Sequence, residues 1–296
     1  MRVSPFTSSS RISRMSRSWS MSGALIFGVL VVAGTAGYAQ ERGNAEPAPP
    51  VASAARESIV PELSLVRATY DSIGGYLESY YVAYGRQWER WETDYPEAEQ
   101  NFARRLGELT RVRLAREPLS LRLDDPTLLD HPFLYMSDVG WMKLSEEEVA
   151  GLRDYLLKGG FLWVDDFWGD AEWSNFERVM RSVLPDVPWK EIPVEHPLRH
   201  MAFDIATVPQ IPARDFATAG FTTEPPDFHR SPAGNLEGAH LRGYFGADGE
   251  LMVVATHNTD VGDGFEREAY GQWYFENFST RAYALGVNIV LYAMTH

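Results

Sequence analysis

Residues 133–164 spell out a strand, a helix and a second strand, and no other stretch narrows the fold as much. Phe133-Leu134-Tyr135-Met136 is a short, wholly apolar run. Ser145 then precedes Glu146, Glu147 and Glu148. A serine at the N-cap, carboxylates in the first turn where the helix dipole favours them, and Glu148 placed to reach back to the cap form a capping box. Val149, Leu152, Leu156 and Leu157 recur at helical spacing, Lys158 closes the helix, and Gly159-Gly160 stops it. Phe161-Leu162-Trp163-Val164 is the second apolar run and ends in Asp165-Asp166. Strands that are apolar throughout, instead of alternating, are buried on both faces. With a helix between them they make a βαβ unit of a parallel sheet.

The rest of the chain is consistent with an α/β domain. Alternation over Leu63–Tyr70 predicts a strand, and Leu119–Leu123 predicts another, closed by Asp124-Asp125-Pro126. Phe102, Leu106 and Leu109 lie on one stripe of a helix predicted from Glu97 to Thr110, just after Asp94-Tyr95-Pro96. A further helix is predicted from Glu172 to Leu184. Residues 185–238 are rich in proline and read as loop. His240–Phe245 and Leu251–Thr256 flank Ala247-Asp248-Gly249-Glu250, whose Asp-Gly predicts a β-hairpin near the C-terminal part. A last helix starts near Ser279, with Ala282, Leu285, Ile289 and Tyr292 on one side.

The N-terminus carries a different message. Residues 1–22 hold four arginines and no acid, Gly23–Gly34 is an apolar run, and Gly37-Tyr38-Ala39 is a small-x-small site. This is the pattern of a secretory signal, with the apolar run shorter than the roughly 20 residues a comfortable span requires. The reading is export to the periplasm or cell envelope, either with cleavage after Ala39 or with residues 23–39 kept as a membrane anchor. Residues 40–60, with Pro47, Pro49 and Pro50, read as a flexible linker, and residues 61–296 as one domain. Removing residues 1–39 moves the net charge from −14 to −18. Such a field repels phosphate backbones, so nucleic acid is excluded as a partner. There is no cysteine, which rules out disulfides, thiolate chemistry and a lipoprotein anchor.

In an open parallel sheet, ligands bind at the carboxyl ends of the strands. That rule selects Asp124-Asp125, Ser137-Asp138, the stretch Asp165–Asp170, and His257-Asn258-Thr259-Asp260-Val261-Gly262-Asp263-Gly264. Asp165, Asp166 and His257 are the candidate catalytic residues. Asp138, Trp168, Asn258 and Asp260 are candidate ligand contacts. Asp260 and Asp263 are candidate ligands for a hard cation, since carboxylate oxygens suit one. Aspartate and asparagine are equally ordinary turn and cap residues. His196 and His200 stand four apart, but Pro197 between them argues for loop. Neither a Gly-x-Ser-x-Gly elbow nor a glycine-rich phosphate loop is present. The nine tryptophans can stack on sugars or simply pack. No cofactor is identifiable.

Several stretches together resemble a known bacterial family. They are Asp94–Phe102, Pro132–Met136, Leu144–Glu148, Gly159–Leu162 with Val164-Asp165-Asp166, Glu195–Leu198, His257–Asp260, Gly286–Ile289 and Tyr292–His296. This pattern is similar to domain-of-unknown-function family 4159, which looks related to the class I glutamine amidotransferase-like superfamily. The resemblance implies a flavodoxin-like parallel sheet flanked by helices. True amidotransferases carry a cysteine nucleophile on the elbow after the helix–Gly–strand unit, where this sequence has Asp165-Asp166-Phe167. Thiolate chemistry is therefore impossible here. The expectation is a non-catalytic domain binding a small molecule or an envelope protein. The alternative is a metal-assisted or carboxylate-based hydrolase built on the strand-end Asp/His cluster.

Overall fold

The computed structural model describes residues 63–73, 80–83, 86–224 and 238–296. The readings of residues 1–39 and 40–60 lie outside the described residues. The central sheet has seven strands: β1 (Val66–Thr69), β2 (Leu119–Arg122), β3 (Phe133–Ser137), β4 (Phe161–Asp165), β5 (Trp189–Glu191), β6 (His240–Phe245) and β7 (Leu251–His257). Their order is β2-β1-β3-β4-β7-β6-β5. The first five are mutually parallel; β6 runs antiparallel to β7, and the edge strand β5 runs antiparallel to β6. The parallel part therefore has the flavodoxin-like order, which reverses direction between β1 and β3.

Every residue of β3, β4 and β7 is buried, as their unbroken apolar runs require. Helices α1 (Glu97–Leu109), α4 (Val261–Glu266) and α5 (Thr280–Thr295) cover one face, and α2 (Glu146–Leu157) and α3 (Gly169–Val183) the other. On the first face Phe102, Phe265 and Tyr283 close around Trp163, with Phe102 and Phe265 4.8 Å apart. On the second, Phe167, Trp173 and Phe176 pack together over β4 and β7. Truncating a ring such as Phe102 to alanine would cost about 3–5 kcal/mol.

The capping box at Ser145 forms: Glu148 N–H donates to Ser145 Oγ at 3.1 Å, and Ser145 N–H to Glu148 Oε2 at 3.0 Å. The hairpin joins β6 to β7, with Gly249 in the left-handed conformation that the turn needs (φ 87°). Two predicted boundaries move. Helix α3 starts three residues earlier than expected, because Asn258 Oδ1 accepts from Gly169 N–H at 2.8 Å and caps it from another strand. The segment after residue 185 contains the edge strand β5, a 3₁₀ turn at Pro197–His200 and a short helix at Arg214–Thr218.

Candidate functional site

The carboxyl ends of β1, β3, β4 and β7 converge on one edge of the sheet, around the point where strand order reverses. At that point the Tyr70 hydroxyl, just past β1, reaches the carbonyl oxygens of Ser137 (2.7 Å) and Asp138 (2.8 Å) beyond β3. Asp138 in turn accepts from Arg90 Nη1 at 2.9 and 3.2 Å, and that guanidinium lies 4.6 Å from the Trp141 ring.

The two aspartates at the end of β4, one its last residue and one on the turn beyond, take opposite roles. Asp165 is fully buried and accepts from Thr256 Oγ1 (2.5 Å), Gly262 N–H (2.8 Å) and Tyr135 Oη (3.0 Å). It is a tie holding β3, β4, β7 and the start of α4 together. Burial lifts its pKa to about 6, against the pull of those three hydrogen bonds. Asp166 stands on the turn into α3 in left-handed backbone (φ 54°), half-buried, and accepts from Trp168 Nε1 at 3.0 Å. Burial and the neighbouring Asp138, Glu224 and Asp165 push its pKa well above the usual carboxylate range.

Three further acids complete the cluster. Asp260 is the N-cap of α4, accepting from Asp263 N–H at 2.7 Å. Asp263 Oδ1 accepts from Arg267 Nε at 2.6 Å, and its Oδ2 is buried with no hydrogen-bond partner. Asp94, on the loop entering α1 with φ 62°, likewise has a buried, unpartnered Oδ2. Burial first, then repulsion by the surrounding acids, raises the pKa of Asp94 and Asp260 well above normal. Among the described residues, one group of three acids offers ligand atoms all within 4.8 Å of one another: Asp94, Asp260 and Asp263. At the rim, Glu224 accepts from Ala213 N–H, and burial with repulsion by Asp263 raises its pKa to about 8. Glu266, 3.1 Å from Arg267, is raised to about 7 by burial and Asp263.

The backbone singles out the same place. Among the described residues, Asp94, Asp138, Asp166 and Asn258 (φ 59°) are the non-glycine residues with positive φ, and all belong to this edge. Asp and Asn tolerate that region better than other side chains.

The family model described as a domain of unknown function, DUF4159, matches residues 80–294. The chain belongs to this family. No curated protein matches it.

Within this DUF4159 domain the sequence candidates divide. Asp138, Asp165, Asp166, Asp260 and Asp263 meet at one edge. His257 is the last residue of β7, and its ring points to the opposite face from Thr256, against Phe167 (4.9 Å) and Trp173 (5.2 Å). Its Nδ1 lies 3.0 Å from Arg242 Nη1 and its Nε2 3.1 Å from the Gly169 carbonyl, so the neutral ring is held by both nitrogens. Burial and Arg242 depress its pKa to about 3. Trp168 is buried, its indole spent on Asp166, and Asn258 caps α3. Asp125 closes a turn at the outer strand by accepting from Thr127. Sequence reasoning missed Asp94, Glu224, Glu266, Arg90 and Arg267. Asp94 was legible only as the residue before a helix. Arg267 carried a signal, since it follows Asp263 by four, but the stretch did not read as a helix.

Proposed function

We propose that this is an exported ligand-binding domain of the cell envelope, without covalent chemistry of its own, whose ligand carries positive charge. One observation carries the reading. Asp94, Asp138, Asp166, Glu224, Asp260, Asp263 and Glu266 crowd one sheet edge, whereas the arginines set among them, Arg90 and Arg267, are already paired with Asp138, Asp263 and Glu266. A bound cation relieves that repulsion where protonation otherwise must. The leader-like N-terminus supports export. Relationship to the amidotransferase-like superfamily remains part of this proposal. It is supported by the strand order and by Asp166 occupying a strained strand-to-helix turn, the kind of elbow on which those enzymes place a cysteine.

Calorimetric titration of the full chain with spermidine and with divalent cations tests the reading. At least one should bind, with affinity reduced tenfold or more in Asp166→Asn/Glu224→Gln. Asparagine suits the left-handed position 166, so that variant keeps its fold. Failure of every cation to bind, or undiminished binding by the variant, would refute the proposal. Amino-terminal sequencing of the protein from its host tests export: a chain beginning at Gln40 means cleavage, and an intact leader recovered from the soluble cytoplasm refutes it.

A second reading has its own observation. Glu224 and Asp166 repel each other, and burial raises the pKa of both; two carboxyl groups that share a proton can serve as acid and base on esters or glycosides. Turnover of a chromogenic ester or glycoside, lost in Asp166→Asn, would replace binding by hydrolysis.

A further inference from the structure

Resting on that reading, we infer that the inner part of the acidic edge is a binding site for one hard divalent cation of the magnesium, calcium or manganese class, held by Asp94, Asp260 and Asp263. These residues come from two separate places in the chain, the loop before α1 and the first turn of α4, and still bring a ligand atom each within 4.8 Å of the others. Proximity alone is common among acids. The further observation is that two of the carboxylates bury an oxygen with nothing to receive it, and the one on Asp94 borders the space beside Gly262. Asp94 Oδ2 and Asp263 Oδ2 are both sealed from solvent and unpartnered, whereas nearly every buried polar atom in a folded protein has a partner.

The space itself is kept open by a missing side chain. A Cβ on Gly262 would lie 2.7 Å from Asp94 Oδ2, 2.8 Å from Tyr135 Oη and 3.4 Å from Asp260 Oδ1. The main-chain N–H of Gly262 is already spent on Asp165 Oδ2. Charge agrees with a divalent occupant. Asp94, Asp263 and Glu266 act on Arg267, which uses its Nε on Asp263 Oδ1 and lies against Glu266. No arginine hydrogen bond reaches Asp94 Oδ2 or Asp263 Oδ2. A donor set made only of oxygens favours hard cations over zinc or copper, which draw nitrogen and sulfur. Asp166, Asp138 and Glu224 are not part of this trio and are left to meet the rest of the ligand.

The test is metal content and affinity. The full chain, stripped with chelator and dialysed against calcium, magnesium or manganese, should retain one equivalent of at least one of them by elemental analysis. In Asp94→Asn, which keeps the left-handed backbone, calorimetric affinity for that cation should fall at least tenfold. Asp263→Asn should do the same, with circular dichroism confirming that each variant folds. Asp125→Asn, in the turn after β2 and outside the acidic edge, should keep the metal. Binding undiminished in both Asp94→Asn and Asp263→Asn overturns the assignment. So does absence of metal binding while spermidine still binds, which leaves the wider proposal standing. If neither metal nor spermidine binds, both fall together.

Discussion

Replacing Gly262 with alanine asks whether the empty space at the start of α4 has a purpose. The new methyl would press on Asp94 Oδ2 at 2.7 Å and on Tyr135 Oη at 2.8 Å. Tyr135 cannot yield, because its ring packs 4.9 Å from Trp163 and its hydroxyl holds Asp165 at 3.0 Å. Asp94 is the end of a side chain on a loop, so its carboxylate swings out. Overpacking of this kind costs about 1–3 kcal/mol, and alanine in place of glycine in a helix returns about 1 kcal/mol. The net loss of about 0–2 kcal/mol is small against the roughly 5–15 kcal/mol of a typical domain, so the variant folds. Cation affinity is expected to fall by a factor of ten or more, about 1.4 kcal/mol. Urea melts with and without a millimolar divalent cation measure both quantities at once. The wild type gains stability from the cation by mass action, and Gly262→Ala should not. Gly238→Ala, whose methyl meets nothing within 4 Å, is the control. If Gly262→Ala responds to the cation as the wild type does, the space above Gly262 is not where the ligands converge.

Two pH experiments follow from the buried titrating groups. Histidine in an unfolded chain titrates near 6.5, and His257 is held down to about 3. The fold therefore demands its neutral form, and the stability this contributes is intact above about 6.5 and lost as pH falls toward 3, amounting to about 2 kcal/mol by pH 5. His257→Gln should flatten the decline in unfolding free energy between pH 6.5 and about 4, and an unchanged slope would show that the ring is not held neutral. Glu224 has the opposite sign. Its folded pKa of about 8 lies above the roughly 4.3 of a free glutamate, so stability is greatest below that value and declines as pH rises through 8. Glu224→Gln keeps an acceptor for Ala213 N–H, and its melting temperature should fall less than the wild type's between pH 6 and 9.

How far the sequence reaches depends on the distance over which each signal acts. The unit from Phe133 to Asp165 was readable because its determinants are local: a serine cap, three glutamates, a stripe and a pair of glycines. The flavodoxin-like sheet followed from apolar runs and from the family likeness together. Helix α4 was not readable. It is six residues long, and glycines at 262 and 264 argue against it; what holds it is Asp165 accepting from Gly262 N–H across 97 positions. For the same reason the sequence could place acids at strand ends but not sort them. Asp165 and Asp166 are indistinguishable as letters, yet one is a buried tie and the other stands at the mouth. His257 read as a base because histidine at a strand end often is one, and only the packing of Phe167, Trp173 and Arg242 around it shows a ring held in place. Asp94 joins the site from the loop before α1, and no spacing rule links it to Asp260 or Asp263.

The left-handed backbone at Asp94, Asp138, Asp166 and Asn258 uncouples shape from charge. Asparagine accepts that conformation about as well as aspartate, and glycine better. Drift from aspartate to asparagine at 94, 138 and 166 would therefore leave the loops in place and the sheet unchanged while weakening the negative field of the edge. Relatives that superpose on this chain need not share its ligand. A member with asparagine at positions 94, 138 and 166 would keep the outline of the mouth with three fewer charges.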